Sequence, residues 1–360
     1  ANTRCDRTAI SRCHHLVPVW CRLRVHSSCP APRGVVVASS PEGILVSPVS
    51  VNYGLDSLPG DGRRRAVSIG KFDGVHRGHV QVIQQLTAMA GKAETTVITF
   101  DRHPHATLRP GEEPLPIVSE SQKVELLSQA GIARVVVLPF DDELSALSHE
   151  EFSRIVLAEG LSAAVVLVGG DFRYGHGGEG TIDMLRHEGE HWGFRVEVVA
   201  DVCQEQGERV SSTMIRGHIT RGEVAQASRL LGRNHSVRGE VGSGAQRGRE
   251  LGYPTANLAQ RLEGLMPADG VYATVVTHQG QRYPAATSVG VNPTFGELTE
   301  SVVESHLLDV SLDLYGEMIR VEFVEFIRGM QTFPSSVELA AQMSEDEKVI
   351  RTILAGALEA

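Results

Sequence analysis

Aromatic side chains make up only 5% of the chain, and no apolar run approaches the ~18 residues that a bilayer-spanning helix needs. The apolar content, 41% of residues, is therefore available for packed cores, and a membrane protein is not expected. Cysteine is nearly confined to one end: Cys5, Cys13, Cys21 and Cys29 precede a long body that contains Cys203 alone. That body cannot rely on internal disulfides. The even spacing of the four, with His14 and His15 nearby, lacks the close C-x-x-C pairs of zinc sites. Positive charge is also short. The net charge is −10, and residues 1–50 hold six Arg against Asp6 and Glu42, so the remainder is more acidic still. Such a body opposes binding to nucleic acid, which rests on clustered Lys and Arg.

Residues 1–48 carry Arg, Ser, Pro and Cys without helical or strand periodicity and do not begin with Met. They read as a disordered or extraneous segment. The continuous apolar core of a secretory signal is absent, while the Arg-rich, acid-poor composition has some likeness to an organelle transit peptide. Together with the cysteine-poor body, this leads to the expectation of a cytoplasmic protein. The length of 360 residues suits two domains better than one; the expected boundaries are 49–232 and 233–360, and association into a homo-oligomer is left open.

Between about 66 and 199, short apolar runs at 66–69, 96–100, 134–140, 164–168 and 194–199 alternate with helix-like stretches at 79–90, 121–131, 149–159 and 181–192. That alternation predicts a doubly wound, parallel α/β sheet. Two further helices are expected at 213–220 and 223–231, ending at Gly232. Beyond them, β-rich runs at 235–241, 271–278, 285–291, 301–310 and 318–326 and a helix from Ser336 predict a small antiparallel β-barrel with a helical tail.

Two segments of the first half hold chemistry. The first apolar run enters Gly70, Phe72, Asp73, Gly74, His76, Gly78 and His79, with a helix following. Ligands of open α/β sheets sit past the carboxyl ends of strands. Gly74 and Gly78 let a phosphate approach backbone, and His76 and His79, three apart, share a face of the opening turn and can neutralise charge on a phosphate under attack. Ser211, Ser212 and Thr213, with Arg216 one turn on, offer hydroxyls, free N–H groups and a guanidinium at another helix start. A single His there would read as a solvated residue of a tight turn, a reading that two His framed by two Gly displace; the second segment alone reads as an N-cap cluster with a surface Arg.

In the second half, a Gly-rich stretch contains Gly248 and Arg249, whose backbone and side chain can wrap phosphates. Thr255 and Asn257 are two apart, so in an extended chain their oxygens point the same way and suit Mg²⁺. A Pro-Thr turn with a self-bonding Asn is the plainer alternative.

In order along the chain, these segments resemble the nucleotidyltransferase superfamily, with its G-x-x-H-x-G-H and I-S-S-T-x-I-R signatures. More closely, with Thr99 to Pro104, Gly169 to Gly175, Gly290 to Gly296 and Val303 to Asp309, the chain from about Val51 onward is similar to the bifunctional riboflavin kinase/FAD synthetase family. Arg102 stands where that family has Pro, and Val210 where it has Ile. The resemblance implies synthesis of FMN from riboflavin and of FAD from FMN, with ATP as co-substrate and Mg²⁺ as cofactor. It implies that His76 and His79 stabilise the transition state of adenylyl transfer, and that Gly70, Phe72, Gly74, Gly78, Ser211, Ser212, Thr213 and Arg216 hold ATP phosphates. Asp171 and Phe172 would seat flavin or nucleotide, with Asp171 as a turn cap the even alternative. In the kinase half it implies Glu304 as general base, Thr255 and Asn257 as metal ligands, and Arg328 and Phe333 on the flavin side; a surface Arg and a core Phe are the plainer alternative. Rival readings are a flavin-binding regulator without turnover and an adenylyltransferase with an inert barrel.

Overall fold

The computed structural model describes residues 36–37, 49–101, 114–199, 204–205, 208–242, 253–291 and 301–356. The four N-terminal cysteines, Arg102 to Pro104, Gly248, Arg249 and residues 292–296 lie outside them. Among the described residues the first half is built on a seven-stranded sheet: β1 (Val36–Val37), β2 (Ser50–Tyr53), β3 (Arg65–Ile69), β4 (Glu94–Phe100), β5 (Arg134–Leu138), β6 (Ala163–Val168) and β7 (Arg195–Val198), ordered β1-β2-β5-β4-β3-β6-β7. The core strands run parallel, and only β1 is antiparallel to its neighbour.

The strands are Val- and Ile-rich because both faces of the sheet are covered. Val67, Ile98, Val136 and Val166 pack on one side with Leu157, Leu161 and Leu185, while Ala66, Val97, Val135 and Val165 pack on the other with Ile83, Leu86, Val124 and Leu127. The covering elements are α1 (Arg77–Ala90), α2 (Glu120–Gln129), α3 (Asp142–Ala146), α4 (His149–Phe152) and α5 (Ile182–Trp192). From β3 the chain winds outward through β4 and β5, then returns to the far side of β3 as β6. The order therefore reverses between β3 and β6, the place where such sheets open a crevice for ligands.

Two short helices, α6 (Ser212–Thr220) and α7 (Val224–Leu231), lead into a closed six-stranded antiparallel barrel. A two-residue-per-strand hairpin, β8 (Gln204–Glu205) and β9 (Glu208–Arg209), precedes them. The barrel comprises β10 (His235–Gly242), β11 (Ala256–Glu263), β12 (Gly270–His278), β13 (Gln281–Val291), β14 (Ser301–Leu307) and β15 (Met318–Arg328), closed in the order β10-β11-β14-β13-β12-β15. Val237, Leu258, Tyr272, Val289, Val303 and Phe323 form its buried core. The terminal helix α8 (Ser336–Leu354) lays Ile350 and Leu354 against Ala273, Val275 and Leu308.

Several elements differ from the sequence reading. The edge strand β1, inside the stretch read as lacking strand periodicity, its neighbour β2, the barrel strand β11, the β8–β9 hairpin and α3 were not foreseen, and the helix anticipated over 149–159 is a single α-turn followed by a π-helical stretch, Ser153–Gly160. β11 reads A-N-L-A-Q-R-L-E, rich in helix formers, and barrel pairing overrides that propensity.

The halves meet through a charged network. Glu125 on α2 accepts Arg320 at 2.7 Å and Arg238 at 3.3 Å, Ser121 accepts Arg238 at 2.6 Å, and Glu263 accepts Arg238 at 2.5 Å and both Ser119 and Ser121 at 2.9 Å. Arg238 and Glu125 are buried, so each charge depends on its partners.

Candidate active sites

The loop between β3 and α1 is strained. Within four residues Phe72, Gly74 and Val75 take φ of 48°, 79° and 39°. Only Gly tolerates such angles freely, and a β-branched Val at +39° costs on the order of 1–3 kcal/mol. Gly74 is further required because a Cβ there would lie 3.1 Å from Ile117. At the end of the loop, His76 is the N-cap of α1: its Nδ1 accepts the His79 backbone N–H at 3.4 Å. An accepting Nδ1 means a neutral ring with its proton on Nε2.

The His76 and His79 rings stack, centroids 3.6 Å apart at 19°, and the Phe72 ring lies 5.1 Å from His79. Burial, aided by Arg233 and Arg209, lowers the His76 pKa to about 4. Burial, then His76 and Lys123, holds His79 well below the ordinary histidine value. The His79 Nδ1 is buried without a hydrogen-bond partner among the described residues. Gly78 is the second residue of α1, and Gly70 lies against the Phe72 ring, 3.0 Å from where its Cβ would be.

The second signature folds onto this loop. Ser211 caps α6, accepting from Met214 N at 3.3 Å, and Ser212 Oγ donates to the Asp73 carbonyl at 2.9 Å across 139 residues of sequence. The Asp73 carboxylate accepts Arg216 Nη2 at 2.8 Å and Ile117 N at 2.9 Å, while Arg216 Nε donates to the Leu115 carbonyl at 2.7 Å. Thr213 is exposed at the opening turn. Asp73 thus clasps both signatures together, a role sequence reasoning gave it no part in.

Lys123 was missed as well. It is 9% exposed, and its Nζ lies 3.4 Å from both Thr99 Oγ1 and the Phe100 carbonyl at the end of β4. Thr99 Oγ1 in turn donates to the Lys71 carbonyl at 3.0 Å, joining α2 to the loop between β3 and α1.

After β6, Asp171 is exposed and lies 3.6 Å from Arg209, and Phe172 stacks on Tyr174 at 5.6 Å and 12°. Tyr174 is anchored by its hydroxyl to Glu188 at 2.7 Å; Glu188 also accepts Ser153 Oγ and meets His149 Nδ1 at 2.5 Å. The π-helical stretch begins at Ser153, where departures from α geometry frequently serve a site.

In the barrel, Asn257 pairs directly with Glu304 across β11 and β14, and Ser288 pairs with Glu304 from the other side. Residues opposite one another on antiparallel strands share a face. Their neighbours Ala256, Leu258 and Val303 join the core, so Asn257 and Glu304 face outward together. Asn257 is buried, and its Nδ2 donates to Thr255 Oγ1 at 3.4 Å. Thr255 and Asn257 line a cavity of about 530 Å³ with Asp313, Leu314 and Tyr315; Glu304 is not part of that lining. Arg328 is held by the Asp346 carboxylate of α8 at 2.8–3.1 Å, and its guanidinium carbon lies 5.7 Å from the centre of the half-buried Phe333 ring. Arg328 is therefore a clamp on the terminal helix, and Phe333 is no core residue.

A helix-opening loop with paired His rings at a sheet switch point and a pocket with Thr, Asn, Ser and Asp side chains on a barrel are the two candidate sites. The FAD synthetase family profile matches residues 59–214 and the riboflavin kinase profile residues 231–354. The chain is 34% identical over 302 residues to the bifunctional riboflavin kinase/FMN adenylyltransferase of Escherichia coli K12, covering 83% of this chain and 95% of that one. Its likeness to the protein of the same name from Pseudomonas fluorescens is 34% over 304 residues, 84% and 97% of the two chains. Among solved structures, one from Streptococcus pneumoniae, described as a macrolide-efflux protein, superposes with a TM-score of 0.76 at 31% identity, covering 84% of this chain and 98% of that one. No helix among the described residues is long and apolar enough to cross a membrane.

Proposed function

Because the chain belongs to the bifunctional riboflavin kinase/FMN adenylyltransferase family, making FMN from riboflavin and FAD from FMN, we propose how its residues divide that work. Residues 49–232 carry adenylyl transfer and residues 233–360 carry the kinase step.

In the first, an FMN phosphate oxygen attacks the α-phosphorus of ATP, and the bond to the β-phosphate breaks to release pyrophosphate. Neutral His76 donates from Nε2 to a phosphoryl oxygen as its charge grows, with His79 beneath it fixing the ring. Gly70, Phe72, Gly74 and Gly78 shape the phosphate path. Ser211, Ser212, Thr213 and Arg216 face the departing pyrophosphate, and Asp171 and Phe172 flank the flavin.

In the second, Glu304 takes the proton of the ribityl 5′-hydroxyl as its oxygen attacks the γ-phosphorus and ADP leaves. Thr255 and Asn257 present hard oxygens two positions apart. Among the described residues no group of three or more His, Cys, Asp or Glu forms a metal cage. That donor set fits Mg²⁺, which keeps waters and phosphates as most of its ligands. Bound there, Mg²⁺ would neutralise charge on the ATP phosphates. Gly248 and Arg249 join the phosphate side, and Arg328 serves the flavin side by ordering the segment that carries Phe333. The cysteine-poor body supports a cytoplasmic enzyme.

The observation that carries this reading is the stacked, neutral His76–His79 pair at the mouth of α1. Chromatography of products separates the halves. Glu304→Ala should stop FMN formation yet leave FAD formation from supplied FMN; His76→Ala should lower FAD formation about 10²–10³-fold and leave FMN formation intact. Loss of both products in either variant, or of neither, would overturn the division.

A further inference from the structure

The strained loop must be held from outside, because backbone in such regions persists only where its surroundings over-determine it. Phe72, Gly74 and Val75 carry the positive φ values, and the carbonyls of the last two accept the same guanidinium: Arg233 Nη2 to Gly74 O at 2.6 Å and Nη1 to Val75 O at 3.0 Å. Arg233 lies 158 residues beyond Val75, between the C-cap Gly232 and the first barrel strand. It borders a cavity of about 290 Å³ between α2 and the barrel, with Glu125 on one wall and Arg320 and Glu322 of β15 on the other. Burial and Arg320 lower its pKa to about 10, which leaves it charged at neutral pH. Gly232 beside it presses on the start of α1, 3.1 Å separating Arg77 Cγ from the place a Cβ would take.

We propose that Arg233 is a positioning residue for adenylyl transfer: its planar fork fixes two successive peptide planes of the loop and thereby the direction from which the His76 ring projects. Fixing the Val75 carbonyl fixes the Val75–His76 peptide, since the group is planar. The brace comes from the segment that the riboflavin kinase profile covers, so one half of the chain sets a catalytic geometry in the other. This rests on the assignment of adenylyl transfer to His76.

The test uses the full chain, with FMN and FAD formation measured on one preparation. Arg233→Gln should lower the kcat of adenylyl transfer about tenfold or more, with KM for ATP and FMN nearly unchanged, because a misdirected imidazole is felt in the transition state rather than in binding. FMN formation should persist, which a general loss of structure would not permit. Arg233→Lys, which keeps charge without the fork, should restore only part of the rate. Should Arg233→Gln abolish both activities, Arg233→Lys decides: adenylyl transfer must fall several-fold further than the kinase rate, and equal retention overturns the brace. Wild-type adenylyl transfer in Arg233→Gln, with His76→Ala inactive, overturns the brace alone. His76→Ala retaining adenylyl transfer overturns the site reading and the brace with it.

Discussion

At the His76–His79 site, segments 139 residues apart are held together by side chains, whereas at the Asn257–Glu304 site the register of two paired strands sets the groups side by side. The first arrangement concentrates its risk in a few polar atoms; the second spreads it over a backbone ladder. Asp73 is where this contrast is sharpest, since its carboxylate binds Arg216 and Ile117 while its carbonyl binds Ser212. Asp73→Ala should lower adenylyl transfer by about 10² and destabilise the chain by about 1–3 kcal/mol, the usual cost of stripping a largely buried charged pair. Asn257→Ala, by contrast, should weaken the kinase step while changing stability by less than about 1 kcal/mol, because the β11–β14 pairing is made by main chain. Thermal unfolding and the two product assays on both variants check this; equal destabilisation would erase the distinction.

The two halves share one feature that makes a smaller, pH-dependent effect. His76 and, in the first barrel strand, His235 are both buried, and burial lowers each pKa to about 4. His235 donates Nε2–H to the Leu265 carbonyl at 2.6 Å and stays neutral. Since the folded values lie below the unfolded value of about 6.5, the unfolded chain binds more protons between these limits. The stability each neutral ring contributes is present above pH ~6.5 and lost as pH falls toward 4, on the order of 3 kcal/mol per group. Urea midpoints measured at about pH 7 and pH 5 should fall with acidity in the wild type, and less steeply in His235→Phe. Adenylyl transfer, for its part, should show no histidine titration between about pH 5.5 and 8.

The same contrast explains what could be read from the sequence. The loop between β3 and α1 was legible because strand, Gly, His and helix follow one another locally, and Asn257 and Glu304 each sat in a local run of recognisable residues. The clasp and brace were not, because Asp73, Lys123 and Arg233 act across 139, 24 and 158 residues and nothing beside them in sequence marks the partner. Strand β11 was hidden by its Ala, Gln, Leu, Arg and Glu content, and Arg328 by the fact that its acceptor, Asp346, belongs to a helix 18 residues on. Parallel strands buried on both faces gave the α/β layer away, whereas the antiparallel edge pair β1–β2 is too short to announce itself.

The smallest effect is expected where neither kind of assembly operates. Asp171 is 77% exposed and its ion pair with Arg209 is long, 3.6 Å, so the pair contributes about 0–1 kcal/mol and is screened by salt. Phe172, one residue on, is instead fixed through Tyr174 to the buried Glu188. Asp171→Ala should therefore leave thermal stability unchanged and act only through ligand contact, raising KM for FMN or ATP a few-fold at constant kcat. Phe172→Ala should do the same and also loosen the Tyr174 contact, a modest loss of stability of about 1 kcal/mol. If Asp171→Ala lowers kcat as strongly as His76→Ala, the carboxylate belongs with the reacting groups, and the loop after β6 joins the strained loop after β3 as a tertiary-built part of the site.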